Sequence, residues 1–434
     1  MDRVYTYDIT PVMDGQEAFL QGWVYEIRDM AKIKFLLLRD YKGMIQCVAL
    51  KDSAVFDKIP KIPIESVVAI KGKVQKSDIA KKGVEIVIQD IEVLSEAQTL
   101  PITVTEKGIT IDLSKRLDFR CLDLRKPYNA AIFKIQSAIL EGFENQLREE
   151  DFTQVFTPCI MGAASESGAE VFKIKYYDTE AFLRQDPQLH RQLAILGGIE
   201  KLYDLGPSWR AEKSHTTQHL CEHRVIAAEM AFLKDEQDTM RLEERLIVAA
   251  IKNVLVRCKE EVDLLGIKLS VPKTPFPELR FPEVYKILEG MGKKLEQGMD
   301  LDSEANELLW KYVQKNFDCE FYFFNRFPFA AKPFYVMRVD EDPEWARSVD
   351  LNFRGIELSS GGQREHRYDK IVSQVKEKGI SLESVEWFTK FFQWGAPPHG
   401  GFAMGIERFT QSLLNIDNIR RTVLFPRAQD RLLP

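Results

Sequence analysis

Five short runs between residues 18 and 94 constrain this chain more than anything else in it: AFLQGWVYEI, IKFLLLR, GMIQCVAL, SVVAIKGKV and VEIVIQDIEVL. They are rich in β-branched and aromatic residues, which suit a pleated, half-buried surface. Turn-forming Asp and Gly separate them at residues 40–43 and 82–83. The stretch SAVFDKIPKI, between the third and fourth runs, has room for a short helix. Five strands with one helix after the third is the layout of an oligonucleotide-binding (OB) barrel. A small barrel that binds no nucleic acid has the same strand pattern, so the pattern alone does not assign a ligand.

Charge gives no global sign of a polyanionic partner. The chain of 434 residues carries 60 Lys and Arg against 66 Asp and Glu, a net charge of −6. Residues 1–100 hold 14 basic against 15 acidic residues, so RNA binding here rests on local clusters and stacking. The six cysteines are widely spread and form no C-x-x-C pair, which reads as scattered reduced thiols. No apolar run reaches the length of a membrane span, and MDRVYTYDIT does not read as a signal peptide. Cytoplasm, with no membrane partner, is the expected location.

A polar connector over residues 101–127 leads from the barrel, residues 1–100, into a second domain, residues 128–434. Ile132, Ile135, Ile139, Phe143 and Leu147 recur at three- and four-residue steps, the apolar stripe of a helix. VFTPCI follows as a short strand broken by Pro158, and a second long helix is expected near 236–260. Strands then alternate irregularly with helices, without a βαβ period, so the expected fold is α+β with an antiparallel sheet flanked by helices. Neither G-x-x-x-x-G-K-[ST] nor a G-x-G-x-x-G after a strand occurs. If ATP is used, charged side chains projecting from a sheet must hold its phosphates.

Four patches carry the polar chemistry. Residues 206–233, GPSWRAEKSHTTQHLCEHRVIAAEMAFL, read as a long hairpin. Arg210 and Glu212, two apart on a strand, project from one face, one suited to clamping a phosphate and the other to accepting from an amine. His215, His219 and His223 recur every four residues, but a hairpin loop breaks helical periodicity, which favours polar loop histidines over a metal site. Residues 348–367, SVDLNFRGIELSSGGQREHR, hold Asp350 and Glu357, oxygen ligands of the kind magnesium takes; ordinary acids on an exposed strand are the plainer reading. In GAPPHGGFAMGIERF, residues 395–409, a small-residue loop enters an apolar helix with Glu407 and Arg408, and an arginine there can lie over a purine ring. FLRQDPQLHRQ, preceded by SESGAE, is by itself a charged loop, yet it offers Glu166, Asp186, Gln188 and Arg191 to both ends of an amino acid.

Taken together, and in this order from GWVYEIRD through SWRAEKSHTT and SSGGQREHR to LFPRAQDRLLP, these patches resemble the class II aminoacyl-tRNA synthetases of the archaeal and eukaryotic aspartyl type. The resemblance runs the length of the chain. It implies an OB-fold anticodon-binding barrel, a class II catalytic domain, ATP and Mg2+ as cofactors, and a homodimer with the turn around Pro158 at the interface. It implies tRNA of the aspartate type as partner, with the asparagine type left open. By the same resemblance, Arg210 would bind the α-phosphate, Glu212 the adenine amine and His219 the distal phosphates. Arg408 would stack on adenine beside His223, and Asp350 and Glu357 would carry magnesium. Glu166 and Gln188 would face the α-ammonium, Arg191 and Arg364 the side-chain carboxylate, with Ser360 and Asp186 in the same pocket. In the barrel, Phe35 would stack on an anticodon base, Gln46 would hydrogen-bond one, and Arg28, Lys32 and Lys34 would meet the backbone.

Several positions depart from that family's pattern. Asp186-Pro-Gln-Leu-His-Arg191 stands where Ser-Pro-Gln-Leu-Tyr-Lys is usual, and Ala227 stands where an aspartate usually meets the α-ammonium. Ser167, Gln218 and Ala403 replace a glycine, an arginine and a glycine. One reading is compensation, with Asp186 supplying the carboxylate that position 227 lacks. Three functions remain open at this point: an aspartyl-tRNA synthetase, a paralogue that activates another amino acid or makes an amide or peptide bond through an adenylate, and a silent RNA-binding relative. The retained Arg210, Asp350, Glu357 and Arg408 argue against the last.

Overall fold

Alternation of buried and half-exposed residues along the first five strands closes them into a barrel. The computed structural model describes residues 1–105, 111–162, 171–211 and 216–434. The chain divides into two compact units, Met1–Leu122 and Asp123–Pro434. In the first, β1 (Glu17–Asp29), β2 (Ile33–Arg39), β3 (Met44–Leu50), β4 (Val67–Lys76) and β5 (Val84–Ser95) close in the order β1-β2-β3-β5-β4. Leu20, Val24, Leu36, Leu38, Ile45, Cys47, Ile70 and Ile86 point inward as its core. The stretch expected to hold a helix after β3 forms only the single 3₁₀ turn Ile59–Lys61, because Pro60 and Pro63 limit what can propagate there. The described residues between 101 and 122, read as connector, cluster with the barrel, and include the short helix α1 (Leu113–Asp118) and the start of α2 (Arg120–Asp123).

The second unit is built on an eight-stranded sheet. Its strands are β6 (Thr153–Val155), β10 (Lys201–Trp209), β11 (Glu222–Ala231), β12 (Glu278–Arg280), β13 (Phe321–Asn325), β14 (Ser348–Phe353), β15 (Ile356–Arg364) and β16 (His399–Gly405). They run in the order β12-β13-β14-β15-β16-β11-β10-β6. The sheet is antiparallel except at its two edges, where β6 pairs parallel with β10 and β12 with β13. A three-stranded sheet, β7 (Ile160–Met161), β8 (Lys173–Tyr176) and β9 (Thr179–Leu183), lies apart from it in order β7-β9-β8.

Two long helices, α3 (Pro127–Glu149) and α5 (Glu236–Arg257), cover one face of the large sheet. Ile132, Ile135, Ile139, Phe143 and Leu147 of α3 pack with Met240, Leu246 and Ile247 of α5 on Ile226, Ala228, Leu351, Leu358, Phe402 and Met404 of the strands. Side chains alternate along a strand, so Val225, Ala227, Glu229, Ala403 and Gly405 face the other way. That second face carries the polar residues. No described helix is long and apolar enough to cross a membrane.

Two segments read as loops are regular elements. The glycine-rich residues 399–405 are a central strand, held by β15 on one side and β11 on the other, so pairing outweighs the poor strand preference of glycine. Gly401 is required there: a Cβ would lie 2.0 Å from the Ala228 carbonyl oxygen and 2.6 Å from Glu229 Oε2. Residues 188–196 form helix α4 (Gln188–Leu196), whose buried side includes Gln188, Arg191 and Gln192 with Leu189 and Ile195. Those polar residues mask its apolar stripe in the sequence.

Candidate active site

A single cross-strand row runs beneath the site, and Ala403 and Ser360 at its middle line the cleft. Register pairs Asp204 with Ala227, Ala227 with Ala403, Ala403 with Ser360, and Ser360 with Asp350. Directly opposed Cβ atoms lie about 4.5–5.5 Å apart, so five side chains from five strands form one continuous strip. Above it opens a cleft of about 240 Å³. Asp186, Gln188, Arg210, His219, His223, Glu357, Ser360, Arg364 and Arg408 all line this one cleft, although they come from separate parts of the chain.

At the inner end, charges are buried in a connected network. Arg364 donates from Nε to Glu229 Oε1 at 2.9 Å, and from Nη2 to Gln188 Oε1 at 3.1 Å and to the Gly401 carbonyl at 3.0 Å. Burial opposes the charge on Glu229, but the Arg364 guanidinium beside it holds the carboxyl below its ordinary value. Gln188 Nε2 donates to Glu229 Oε2 at 3.1 Å, which fixes its amide orientation. Arg191 donates from Nη2 to Asp186 Oδ2 at 2.6 Å and to Gln188 Oε1 at 2.9 Å. Beneath it, Arg184 Nη1 meets Asp204 Oδ2 at 3.3 Å, and Gly206 leaves the space that its guanidinium crosses, since a Cβ there would lie 2.0 Å from Arg184 Nη2.

Cationic groups gather at the outer end. The β10–β11 hairpin carries Arg210 just past Trp209, where its N–H still bonds to the Cys221 carbonyl; the regular strand ends at Trp209, short of Arg210, which the sequence places on it. Burial, then the positive charges of Arg210 and Arg408, push the His223 imidazole down to about 4, so both guanidinium groups act on one neutral ring. Arg408 lies in the first turn of the helix Ile406–Leu413 and donates to the Glu357 carbonyl at 3.3 Å. Its neighbour Glu407 accepts from the Arg224 N–H at 2.8 Å, and burial pushes its carboxyl up to about 7. His219 bonds through Nδ1 to the Thr216 hydroxyl.

Asp350 and Glu357 form an oxygen donor pair. Lys332 donates to Asp350 Oδ2 at 2.9 Å, while Asp350 Oδ1 is buried and has no hydrogen-bond partner among the described residues. Glu357 keeps 51% of its side chain open to the cleft, yet the crowded walls and the charge of Asp350 raise its carboxyl above the ordinary value. Among the described residues no group of three or more His, Cys, Asp or Glu is placed to hold a metal. Two carboxylates with an orphaned oxygen suit a hard cation that completes its shell with water and substrate oxygens, not a closed protein cage.

The barrel presents a smaller surface of its own. Phe35 and Gln46 alternate with the inward Leu36, Ile45 and Cys47 and so share the outer face. Gln46 Nε2 donates to Glu85 Oε2 at 2.7 Å. Arg28, paired across the strands with Phe35, bonds to Glu26, and Lys32 is exposed beside β2. Lys34 alternates to the opposite side, where it is buried against Asp29 and the Phe56 ring, so it does not share the Phe35 surface.

Glu166, Glu212 and His215 lie outside the described residues. Arg191 stands behind Asp186 instead of on the cleft wall, its side chain 1% exposed. Glu229, Lys332, Ser208 and Tyr335 belong to the site, although the sequence alone does not mark them for it. Glu229 had a legible signal, a lone carboxylate at a buried alternation position of VIAAEMAFL; Lys332 had none, since only the folding of a long loop brings it to Asp350.

Residues 112–429 match the family model described as tRNA synthetases class II (D, K and N), and residues 19–94 match the OB-fold nucleic acid binding domain. The chain is 43% identical to the aspartate–tRNA(Asp) ligase of Thermococcus kodakarensis and 40% identical to the aspartate–tRNA(Asp/Asn) ligase of Methanopyrus kandleri, each over 99% of both chains. Its fold is similar to the asparaginyl-tRNA synthetase of Pyrococcus horikoshii complexed with asparaginyl-adenylate, at a TM-score of 0.93 and 32% identity over the full length of both. It is also similar to the aspartyl-tRNA synthetase of Entamoeba histolytica, at a TM-score of 0.90 and 27% identity over 100% of this chain and 93% of that one.

Proposed function

This chain belongs to the class II tRNA synthetases of the D, K and N group, and we propose that it activates aspartate with ATP and transfers it to tRNA. The observation that carries this reading is that Arg210, His223 and Arg408 line the same cleft as Gln188 and Arg364, which form a buried network with Glu229. One end suits a nucleotide and the other a small zwitterion.

In the first step the aspartate α-carboxylate attacks the α-phosphorus of ATP in line, and pyrophosphate leaves. Arg210 stabilises the negative charge that develops on the α-phosphate, and His219 meets the distal phosphates. Arg408 lies over the adenine ring with the neutral His223 beside it, and Glu212 accepts from the adenine amine. Asp350 and Glu357 would hold Mg2+, which supplies charge neutralisation of the phosphate tail when bound. Gln188, its amide fixed by Glu229 and the two arginines, shapes the α-ammonium end beside Glu166, while Ser360 and Arg364 position the rest of the amino acid. Holding both reactants in this geometry supplies much of the acceleration without a covalent enzyme intermediate. The aminoacyl group then passes to the terminal ribose of the tRNA.

The barrel reads the anticodon through stacking on Phe35 and a hydrogen bond from Gln46, with Arg28 and Lys32 near the backbone. Relatives named for both aspartate and asparagine tRNA make the asparagine type a second partner to test. The protein acts as a cytoplasmic homodimer, and the exposed Phe156 (82%) and Ile160 (48%) around Pro158 supply apolar surface for that contact.

The test is ATP–pyrophosphate exchange with each of the twenty amino acids in turn, followed by charging of total tRNA. Exchange driven by aspartate is expected. Exchange driven only by another amino acid would replace the substrate, and none at all would remove the enzymatic reading.

A further inference from the structure

The inner end of the cleft contains a carboxylate whose partners leave half of it unused. Asp186 lines the cleft with a side chain 17% exposed, and its Oδ2 is taken by Arg191 at 2.6 Å. Its Oδ1 is buried and has no hydrogen-bond partner among the described residues. An acceptor in that condition costs free energy unless a ligand completes it.

Among the described residues, the other charged acceptors at that end already accept hydrogen bonds. Gln188 Oε1 receives both Arg191 and Arg364, and both oxygens of Glu229 are held by Arg364 and Gln188. Asp204 Oδ2 accepts from both Thr157 and Arg184, which holds that carboxylate against its own strand's neighbours. The row between Asp204 and Ser360 is two alanines, Ala227 and Ala403, whose side chains offer no polar atom. Glu357 and Glu407 belong to the other end, beside Arg408 and Arg224.

Arg191 is placed to orient rather than to bind. It is buried, it does not reach the cleft wall, and its bonds run to Asp186 and Gln188, with Asp204 3.9 Å away. Arg364, in contrast, lines the cleft, and its Nη1 carries no hydrogen bond among the described residues.

We propose that Asp186 is the acceptor for the α-ammonium of the amino-acid substrate and that Arg191 is its positioning residue. The carboxylate absent from the row at Ala227 is thus supplied from the wall, and with it Arg191 is withdrawn from side-chain recognition. The inference rests on the amino-acid-activating reading and adds which group reads the α-ammonium of the substrate.

Succinate, which is aspartate without its α-ammonium, separates the roles. Calorimetric titration of the full-length protein with aspartate and with succinate, in the presence of α,β-methylene-ATP and magnesium, measures both affinities without turnover. The wild type is expected to prefer aspartate by about thirty-fold, the scale of a charge-assisted hydrogen bond in a buried site. D186N keeps an acceptor for Arg191 but loses the charge, and should reduce that preference below about three-fold with nucleotide affinity unchanged. D186S/R191K, which removes the buried charge pair's geometry without stranding a guanidinium, should do the same, and adding A227D should restore the preference. R191Q, or R191K if R191Q does not fold, should weaken aspartate but not succinate. An unchanged preference in folded D186N overturns the role of Asp186. Equal weakening of both ligands in the Arg191 variant would mean that this arginine contacts the side-chain carboxylate directly, which overturns its positioning role. Failure of the wild type to bind the nucleotide analogue or aspartate would strike the activation reading itself, a separate result.

Discussion

Arg364 and Glu229 meet as a buried ion pair, 2.9 Å from Nε to Oε1, with side-chain exposures of 5% and 0%. Removing two charges from water this completely is tolerated because every contact is a hydrogen bond in a fixed geometry, closed on the far side by Gln188 and the Gly401 carbonyl. Glu229→Ala strands the guanidinium and should cost about 3–5 kcal/mol of stability, measured by urea denaturation. Glu229 has a lowered folded-state value, so its contribution is complete above the ordinary glutamate range and is lost as pH falls through that lowered value. The stability gap between wild type and the variant should therefore persist at neutral pH and close only in acid. A gap that closes on going alkaline would contradict the ion-pair account.

Glu407 behaves in the opposite sense. Burial raises its carboxyl to about 7, so the folded protein holds a proton that the unfolded chain has already released. Stability from this group is therefore greatest at or below the ordinary glutamate value and declines as pH rises toward 7. Glu407→Gln keeps an acceptor for the Arg224 N–H and cannot ionise. Its melting temperature should match the wild type near pH 4 and exceed it at pH 8, by a free energy of roughly 2–3 kcal/mol.

Arg210→Gln should lower aspartate-dependent pyrophosphate exchange by about 10²–10³-fold, the usual effect of removing one preorganised donor to a developing charge. The melting temperature should stay within about a degree of wild type, since a cleft-lining side chain outside the core contributes little to stability. His223, held near 4, is neutral throughout the physiological range, so exchange between pH 6 and 8 should show no ionisation belonging to it.

The barrel was readable because its strands alternate cleanly and its turns carry Asp and Gly, both local properties. Helix α3 and the β10–β11 hairpin were readable for the same reason: Ile132 to Leu147 keep one period, and two apolar runs flank one polar loop. Residues 399–405 misled because their strand character comes from neighbours on both sides, which no local pattern encodes. Asp186 and Arg191 were legible as chemistry but not as geometry. Their spacing could not tell that one lines the cleft while the other lies behind it, a distinction set by the entry into α4. Lys332 was invisible, since its meeting with Asp350 depends on an irregular loop.

Phe35 offers the cleanest separation of the two units' work. It is half-buried on the outer face of β2, beside Gln46 on β3 and across from Arg28 on β1, while Lys34 points away. The barrel's charge is nearly balanced, 14 basic against 15 acidic residues over positions 1–100, so few phosphate contacts are available there. Stacking must then carry a large share of the affinity of this unit, about 1–3 kcal/mol per base. Phe35→Ala should raise the Kd for aspartate tRNA by ten-fold or more while leaving the slope of log Kd against log salt unchanged, because no cation is lost. Arg28→Gln should do the reverse, with a modest loss of affinity and a shallower salt slope. Neither should alter pyrophosphate exchange without tRNA, which depends only on the second unit. A fall in tRNA-independent exchange in Phe35→Ala would show that the aromatic serves folding, and the stacking argument would fail.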